Sequence, residues 1–434
     1  AQTTGQGFVG LDGDGNLALQ SPAGRQLMVD GVALMNELAD LCALILQQQS
    51  TMSRLSATVA AQPNSNVQLN LIRLDHGVFG PVRTIDNTGD VGQHTSLALT
   101  TAGFPVISYL DNTNGDLKLA VCADTTCSSG TAIRTIDSTG VVGSHTSLAL
   151  TAAGFPVISY YDTTNQDLKL AVCADATCSS GTIVRTIDST GDVGQFTSLA
   201  LTTAGFPVIS YHDVTNYDLK LAVCADATCS SGTTIRTIDS KGIVGSYTSL
   251  ALTTAGFPVI SYFDSTYRDL KLAVCADTTC SSGTTIRTID STGVVGYYTS
   301  LVLTTAGFPV ISYFDFTNAD LKLVVCDDAT CSSGTTIRTI DSTGFVGHYT
   351  SLALTAAGFP VISYYDNTNY DLKLAVCADA TCSSGTTIRT IDSTGSVGWY
   401  TSLALTTAGF PVISYFNYTN ADLKLAVCAD ATCF

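Results

Sequence analysis

The sequence predicts an all-β fold, a seven-bladed β-propeller, and three observations carry that prediction. The stretch from Arg83 to Cys127, RTIDNTGDVGQHTSLALTTAGFPVISYLDNTNGDLKLAVCADTTC, is written out seven times. Its arginine recurs as Arg134, Arg185, Arg236, Arg287, Arg338 and Arg389, a spacing of 51 residues without insertion or deletion, and a period of that size signals an array of supersecondary units. Each copy reads as four short strands, TTIRTID, TSLALT, FPVISY and DLKLAVC, separated by turn residues. The seventh copy ends at Cys433 and Phe434 without its following TTIRTID-type strand, and that strand is found before the first copy as Gly80 to Asp86. If the early strand completes the last blade, every blade has four strands and no inner edge is left unpaired.

The chain is expected to divide into an N-terminal β segment (1–30), a heptad-patterned helix (31–61), a linker and strand (62–78) and the propeller (79–434). Residues 1–30 read as a β-hairpin, with GFVGLD and LALQ flanking Gly-Asp-Gly-Asn. The Asp12–Asn16 run has the look of a calcium loop, but the closing Glu of an EF-hand is absent, so a hairpin turn is the better reading. Asp30 is placed to cap a helix whose Leu34, Leu38, Leu41, Ile45, Gln48, Met52, Leu55 and Val59 alternate steps of four and three, a heptad seam. A lone amphipathic helix lying on the ring would bury the same stripe; the polar Gln48 inside the seam favours self-association in a coiled coil. Cys42, the odd cysteine, packs in that face or pairs between chains. Gln62–Asn66 is a short linker.

Composition bounds the function. Net charge is -17, carried by Asp with Glu37 as the one glutamate, which argues against nucleic acid or an anionic membrane as partner. No apolar run is long enough for a membrane span, and Ala1 does not begin a signal peptide, so the chain is read as a processed mature form. Fourteen of the fifteen cysteines form C-x4-C pairs: Cys122 with Cys127, Cys173 with Cys178, Cys224 with Cys229, Cys275 with Cys280, Cys326 with Cys331, Cys377 with Cys382 and Cys428 with Cys433. Each pair brackets a turn leaving a strand, which suits a disulfide. Zinc would require two pairs to converge from different blades. Seven disulfides place the protein outside a reducing cytosol, in an extracellular or surface setting.

Variation among the copies points to a working face. The Thr-Ala-Gly and cysteine turns should share one face and barely vary, whereas the Asp-x-Thr-x-x-Asp turn and the S-T-G-x-V-G-x-x-T connection share the other and do vary. Copies one and two place Asp90, Gln93, Asn112, Gly115, Ser144, Thr163 and Gln166 there. Copies five to seven place Tyr297, Tyr298, Phe314, Phe316, Phe345, His348, Tyr349, Tyr370, Trp399, Tyr400, Phe416 and Tyr418 there. Solvent gives no reason to gather aromatics on one arc, so the arc is expected to be an interface, with Tyr297, Phe316, His348, Tyr370, Trp399 and Tyr418 as its contacts. Part of the set, the Tyr298, Tyr349, Tyr400 series above all, could instead pack beneath the loops. Two partners suit the arc: another copy of the chain, with a strand donated from residues 1–24 as one joint, or a glycan.

The SLALTTAGFPVISYYD and NxDLKLAVC segments resemble tandem repeats of secreted bacterial surface proteins with a SLALD..G.P.ISYYD...GDLKYA pattern. That resemblance spans 83–433 and implies propeller blades and surface display. The heptad module plus repeat domain is also loosely similar to subunits of extracellular fibres. There is no Trp-Asp pair, kelch double glycine or sialidase Asp-box. An enzyme is not expected: the ring has no glutamate, and His76, His94, His145, His212 and His348 show no metal spacing. Ser and Asp are plentiful, but nothing marks one as a nucleophile. The repeated Asp pairs, such as Asp111 with Asp116 and Asp162 with Asp167, suit turn caps better than calcium. Asn417-Tyr418-Thr419 is the one glycosylation sequon. The function expected is that of a self-assembling structural subunit of an extracellular filament or surface fibre, with a glycan-binding lectin or adhesin as the alternative; no cofactor or metal is expected.

Overall fold

Strand β3 (Val82–Asp86), which precedes the first repeat, forms the outer edge of the last blade. In the computed structural model of the chain, which describes Phe8–Leu11, Leu17–Gln20 and residues 82–433, blade 1 consists of β4 (Val91–Leu99), β5 (Pro105–Asp111), β6 (Asp116–Val121) and β7 (Ala132–Asp137), paired antiparallel in that order. Five further blades repeat this order, from β8 (Val142–Leu150) to β27 (Thr387–Asp392). Blade 7 takes β28 (Val397–Leu405), β29 (Pro411–Asn417) and β30 (Asp422–Val427) from the C-terminal end and β3 from ahead of the repeats. Val82 pairs with Ala426, Arg83 with Leu425 and Thr84 with Lys424. The expected closure therefore holds, and no blade is left with three strands.

Period-two alternation is lost in the second strand because both of its faces are buried. The second strand of every blade, β5 and its equivalents, is buried at all seven positions, which is why it reads as the near-continuous apolar run PVISY rather than an alternating one. Outer strands keep exposed positions in the middle. The cores lie between blades: one combines Val91, Ile107 and Tyr109 of blade 1 with Val412, Leu423 and Leu425 of blade 7. A bond recurs at every junction of inner strands, a Leu N–H donating to the Ser Oγ of the preceding blade. Leu148 to Ser96 and, across the closure, Leu97 to Ser402 both measure 3.0 Å.

A buried polar unit also repeats in each blade. Tyr109 donates its hydroxyl to Asp86 Oδ2 at 2.7 Å, and the Lys118 ammonium lies 2.8 Å from Asp111 and 3.7 Å from Asp86. Removing the lysine would leave two buried carboxylates unpaired, at a cost of about 3–5 kcal/mol. Blade 7 departs from this pattern. Asn417 stands where the other blades have the second aspartate, and Lys424 pairs with Asp392 alone.

All seven expected disulfides are formed. Cys122 is bonded to Cys127, Cys173 to Cys178, Cys224 to Cys229 and Cys275 to Cys280. The same link joins Cys326 to Cys331, Cys377 to Cys382 and Cys428 to Cys433, and across the set the Cα–Cα separations run from 4.8 to 5.0 Å. The second cysteine of each pair takes a left-handed backbone, with Cys127, Cys178, Cys229, Cys280, Cys331, Cys382 and Cys433 at φ 46 to 55°. That turn brings the chain back within reach of the first cysteine, five residues earlier, which the C-x4-C spacing by itself does not reveal. In each loop an aspartate organises the turn: Asp124 accepts the N–H groups of Thr126, Ser128 and Ser129 and the hydroxyls of Thr126 and Ser128. Those bonds hold its carboxyl well below the usual range.

The chain divides into two units, Ala1–Leu74 and Asp75–Phe434. In the first, β1 (Phe8–Leu11) and β2 (Leu17–Gln20) pair antiparallel with each other, Phe8 opposite Gln20 and Leu11 opposite Leu17. The two strands expected to flank Asp12–Asn16 thus pair, and Asp12–Asn16 itself lies outside the described residues. The heptad helix, with Leu34, Leu38, Leu41, Ile45, Met52 and Leu55, lies outside the described residues. No helix among the described residues is long and apolar enough to cross a membrane.

Candidate interaction face

The inner strands begin earlier than the sequence suggested. Residues expected in a connection, Val-Gly-x-x-Thr, open β4 and its equivalents, where the register shifts twice, between Val91 and Gln93 and between Gln93 and Ser96. Gly92 has φ +102°, and an added Cβ there would sit 2.7 Å from the Leu423 backbone, so no larger residue fits. Two residues on, His94 occupies the left-handed region at φ 52°. His145, Phe196, Tyr247, Tyr298, Tyr349 and Tyr400 do the same at 52 to 54°.

That shared backbone turns seven rings toward the axis. Successive centroids lie 4.3 to 4.7 Å apart, and the circuit closes from Tyr400 back to His94. The rings and the Thr95-type residues behind them line a cavity of about 180 Å³. A left-handed non-glycine residue costs roughly 1 kcal/mol or more, and tilted ring contacts return about 0.5–1.5 kcal/mol per pair. The geometry therefore settles the place of Tyr298, Tyr349 and Tyr400: they form an iris on the axis. Burial holds the His94 imidazole well below its usual range, with the neighbouring His145 adding to the effect, and pushes His145 down to about 4.

Around the iris lie seven equivalent inter-blade grooves. Each is built from the last apolar residue of the second strand and the turn residue after it on one blade, together with three positions of the next. The groove between blades 6 and 7 holds Tyr365, Tyr370, Ser396, Trp399 and Tyr418. Trp399 and Tyr418 stack at 5.1 Å and 20°, Trp399 lies 5.3 Å from Tyr365, and the Trp399 Nε1–H donates to Ser396 Oγ at 3.1 Å. Tyr365 Oη lies 3.2 Å from the same hydroxyl.

Between blades 5 and 6, His348 lies against Phe314 at 4.1 Å and stacks on Phe345 at 4.8 Å and 29°. Its Nδ1 is buried without a hydrogen bond, and burial pushes its pKa down to about 4. Between blades 4 and 5, Tyr297 contacts Phe263 at 4.2 Å and Phe316 at 5.9 Å.

The same positions in blades 1 to 3 hydrogen-bond rather than stack. Gln93 and Asn112 both donate to Asp90, and Tyr161 donates to Asp192 at 2.9 Å. Of the six ring-face contacts expected from sequence, Phe316, Tyr370 and Tyr418 are 53 to 61% exposed, while Tyr297, His348 and Trp399 are half-buried beneath them. Phe314 and Phe416 are buried and unavailable to a partner. Tyr217 and Tyr267, at 49% and 69% exposed, extend the arc to blades 3 and 4. The sequence reading missed both.

Asp111 accepts the backbone N–H and the side-chain amide of Asn114 and pairs with Lys118, which makes it a turn organiser as expected. Burial next to Asp111 raises the Asp116 carboxyl above its ordinary value, and the same arrangement recurs in other blades. Among the described residues no three His, Cys, Asp or Glu side chains gather as a metal site. Asn417 is 1% exposed and accepts the Thr419 N–H. A glycan acceptor is a surface amide, so its burial gives the sequon no support.

No protein-family model matches the chain, and no curated protein matches it either. Among solved structures, an ulvan lyase described as founding a polysaccharide lyase family is 11% identical, with a TM-score of 0.51, covering 81% of this chain and 96% of its own. The ulvan lyase bound to -[GlcA(1-4)Rha3S]- gives a TM-score of 0.50 at 11% identity, with the same coverage. A lectin, SapL1, in complex with alpha methyl fucoside gives a TM-score of 0.46 at 11% identity, covering 68% of this chain and 95% of its own. At these identities the likeness is one of fold.

Proposed function

We propose that the protein is a non-enzymatic structural subunit of an extracellular filament or surface fibre, meeting a second copy through the aromatic arc of its variable face. The observation that carries this reading is the spread of Tyr217, Tyr267, Phe316, Tyr370 and Tyr418, each about half or more exposed, over blades 3 to 7 of one face. Large aromatics in contact with water are costly to keep and are the usual anchors of protein interfaces. Seven disulfides suit an oxidising exterior. The test is electron microscopy of purified full-length protein across a concentration series without added sugar. Ordered filaments or closed oligomers support the reading, and dispersed single rings at every concentration overturn it.

A second reading, a glycan-binding lectin or adhesin, is favoured by one specific feature: the parallel Trp399–Tyr418 platform beside the Ser396 and Tyr365 hydroxyls. A sugar ring stacks on such a surface while its hydroxyls find partners at the edge. Retention of dispersed rings on neutral glycan resin, lost on Trp399→Ala, would favour this reading over the first.

A further inference from the structure

Blade 4 gives up two side-chain hydrogen bonds of the repeated template within two adjoining turns. In six connections a threonine hydroxyl bonds the aspartate that ends the outer strand, as Thr139 does with Asp137 at 2.5 Å and Thr394 with Asp392 at 2.5 Å. The connection entering blade 4 has Lys241 there. Only its backbone N–H reaches Asp239, at 3.1 Å, and the side chain is exposed. In the next turn most blades use an asparagine whose amide bonds the turn aspartate, as Asn318 bonds Asp315 at 2.8 Å. Blade 4 has Tyr267, 69% exposed. Asp264 Oδ2 is left without a hydrogen bond, facing only the Lys271 ammonium at 3.2 Å. Arg268 follows at a position that is left-handed in every blade, as Gln166, Tyr217, Ala319, Tyr370 and Ala421 are, with Gly115 in blade 1.

The two turns are tied together, Ser265 N–H to the Ile243 carbonyl at 2.8 Å and Ile243 N–H to Thr266 Oγ1 at 2.7 Å. The Arg268 carbonyl accepts from Val295 N–H at 3.0 Å, which sets the residue beside the Tyr297 groove. Lys241, Tyr267 and Arg268 thus form one exposed basic and aromatic patch at the start of the arc. No ion pair among the described residues includes either cation.

The two forgone hydrogen bonds are each locally unfavourable. Their concentration in one blade is what a surface shaped for a partner leaves behind.

The opposite face supplies the complementary charge. In blades 1 to 6 the disulfide loop there carries an aspartate, Asp124 to Asp379, whose carboxyl is held well below the usual range by backbone and hydroxyl donors. These side chains are therefore charged at any ordinary pH, and none from Asp124 to Asp379 takes part in an ion pair among the described residues. Blade 5 adds the exposed Asp327. A chain of net charge -17 repels its own copies. A contact that sets Lys241 and Arg268 against this carboxylate ring offsets that repulsion locally.

Resting on the self-assembly reading, we infer that the patch of Lys241, Tyr267 and Arg268 docks on the disulfide-loop face of the next copy, stacking rings head to tail. A contact between two different faces does not close on itself and so propagates as a filament. Arg268 suits a carboxylate through its planar fork of donors, and Tyr267 supplies apolar area.

The test restores the template in full-length protein. The triple variant Lys241→Thr, Tyr267→Asn, Arg268→Gly should raise the critical concentration for assembly by about tenfold or more. Its denaturation midpoint should stay level or rise, because Asp239 and Asp264 regain donors. A Lys241→Asp, Arg268→Asp copy still offers a normal carboxylate face, so at low ratio it should cap wild-type filaments and shorten them; a face-to-face contact would simply exclude it. The inference falls if the triple variant assembles as wild type does, which would leave the self-assembly reading intact. It also falls if the variant loses retention on dextran sulfate with assembly unchanged, which would make the patch a polyanion site. If wild type assembles at no concentration, both fall together.

Discussion

Blades 1 and 2 share one backbone with blades 6 and 7, but the face they build is different. In blade 1, Gln93 and Asn112 close on Asp90 and satisfy one another. In blade 7 the same two positions are Trp399 and Tyr418, stacked at 5.1 Å with Tyr418 61% exposed. The first arrangement is complete within the chain, and the second leaves a flat apolar surface open to water. Since the buried strands beneath are nearly identical in sequence, the difference carries no folding information. It is a difference in what the two arcs can meet.

The largest effect expected is therefore an asymmetry between arcs. Trp399→Ala with Tyr418→Ala should raise the critical concentration for assembly about 30-fold, the effect of roughly 2 kcal/mol at an interface anchor. Gln93→Ala with Asn112→Ala should change it less than about twofold. Pelleting assays across a concentration series read both. Equal losses on the two arcs would show that the aromatic side is not the contact.

The blades, the ring closure and the disulfides were legible in the sequence because each recurs at a fixed offset. The axial iris was not recognised, for a physical reason. Tyr297 and Tyr298 are consecutive, yet one faces a groove and the other the axis, because the left-handed residue at φ 53° breaks the alternation that assigns side chains to faces. A signal was present: the position is ring-bearing in all seven copies, from His94 to Tyr400, whereas Tyr297 aligns with Gln93, Ser144 and Ser246. Tyr267 and Lys241 were overlooked because they stand at positions that scarcely vary elsewhere, and their meaning depends on the bonds that Asn and Thr make in the other blades. The burial of Asn417 likewise follows from its place on a strand buried at every position.

A smaller effect separates the arcs by pH. The iris is histidine on the polar side, at His94 and His145, and tyrosine on the aromatic side. Both imidazoles are held below their ordinary pKa by burial, His145 at about 4. The unfolded chain, titrating near 6.5, binds protons first, so stability is fully present above that pH and is lost as pH falls from 6.5 toward 4. The disulfide-loop aspartates contribute nothing in that window, because their carboxyls are lowered and their loss comes at more acid pH. His94→Phe with His145→Phe copies the residue already at Phe196 and should reduce the slope in urea denaturation between pH 6.5 and 4. His212 and His348, also lowered by burial, add to the slope, and the raised Asp116-type carboxyls oppose it. A slope unchanged in the double variant would place the acid sensitivity outside the iris.

The smallest effect distinguishes two groove histidines. On the polar side, His212 Nδ1 lies 2.8 Å from the Val244 carbonyl and is satisfied. On the aromatic side, His348 Nδ1 is buried among Phe314, Phe345 and Tyr298 with no hydrogen bond. A buried polar atom without a partner costs about 1–3 kcal/mol, whereas removing a satisfied one forfeits its bond and leaves the carbonyl orphaned. Phenylalanine has nearly the shape of imidazole plus one ring atom, and the blade 4 equivalent of the His212 position, Phe263, shows that the scaffold accepts it there. His348→Phe should therefore raise unfolding stability by about 1 kcal/mol, and His212→Phe should lower it by a similar amount. Chemical denaturation at pH 7.5, where both imidazoles are neutral, reads the sign. Opposite signs would mean that the aromatic arc keeps a polar atom at a cost its own fold does not require; a loss at both positions would mean that the His348 ring is as well satisfied as the His212 ring.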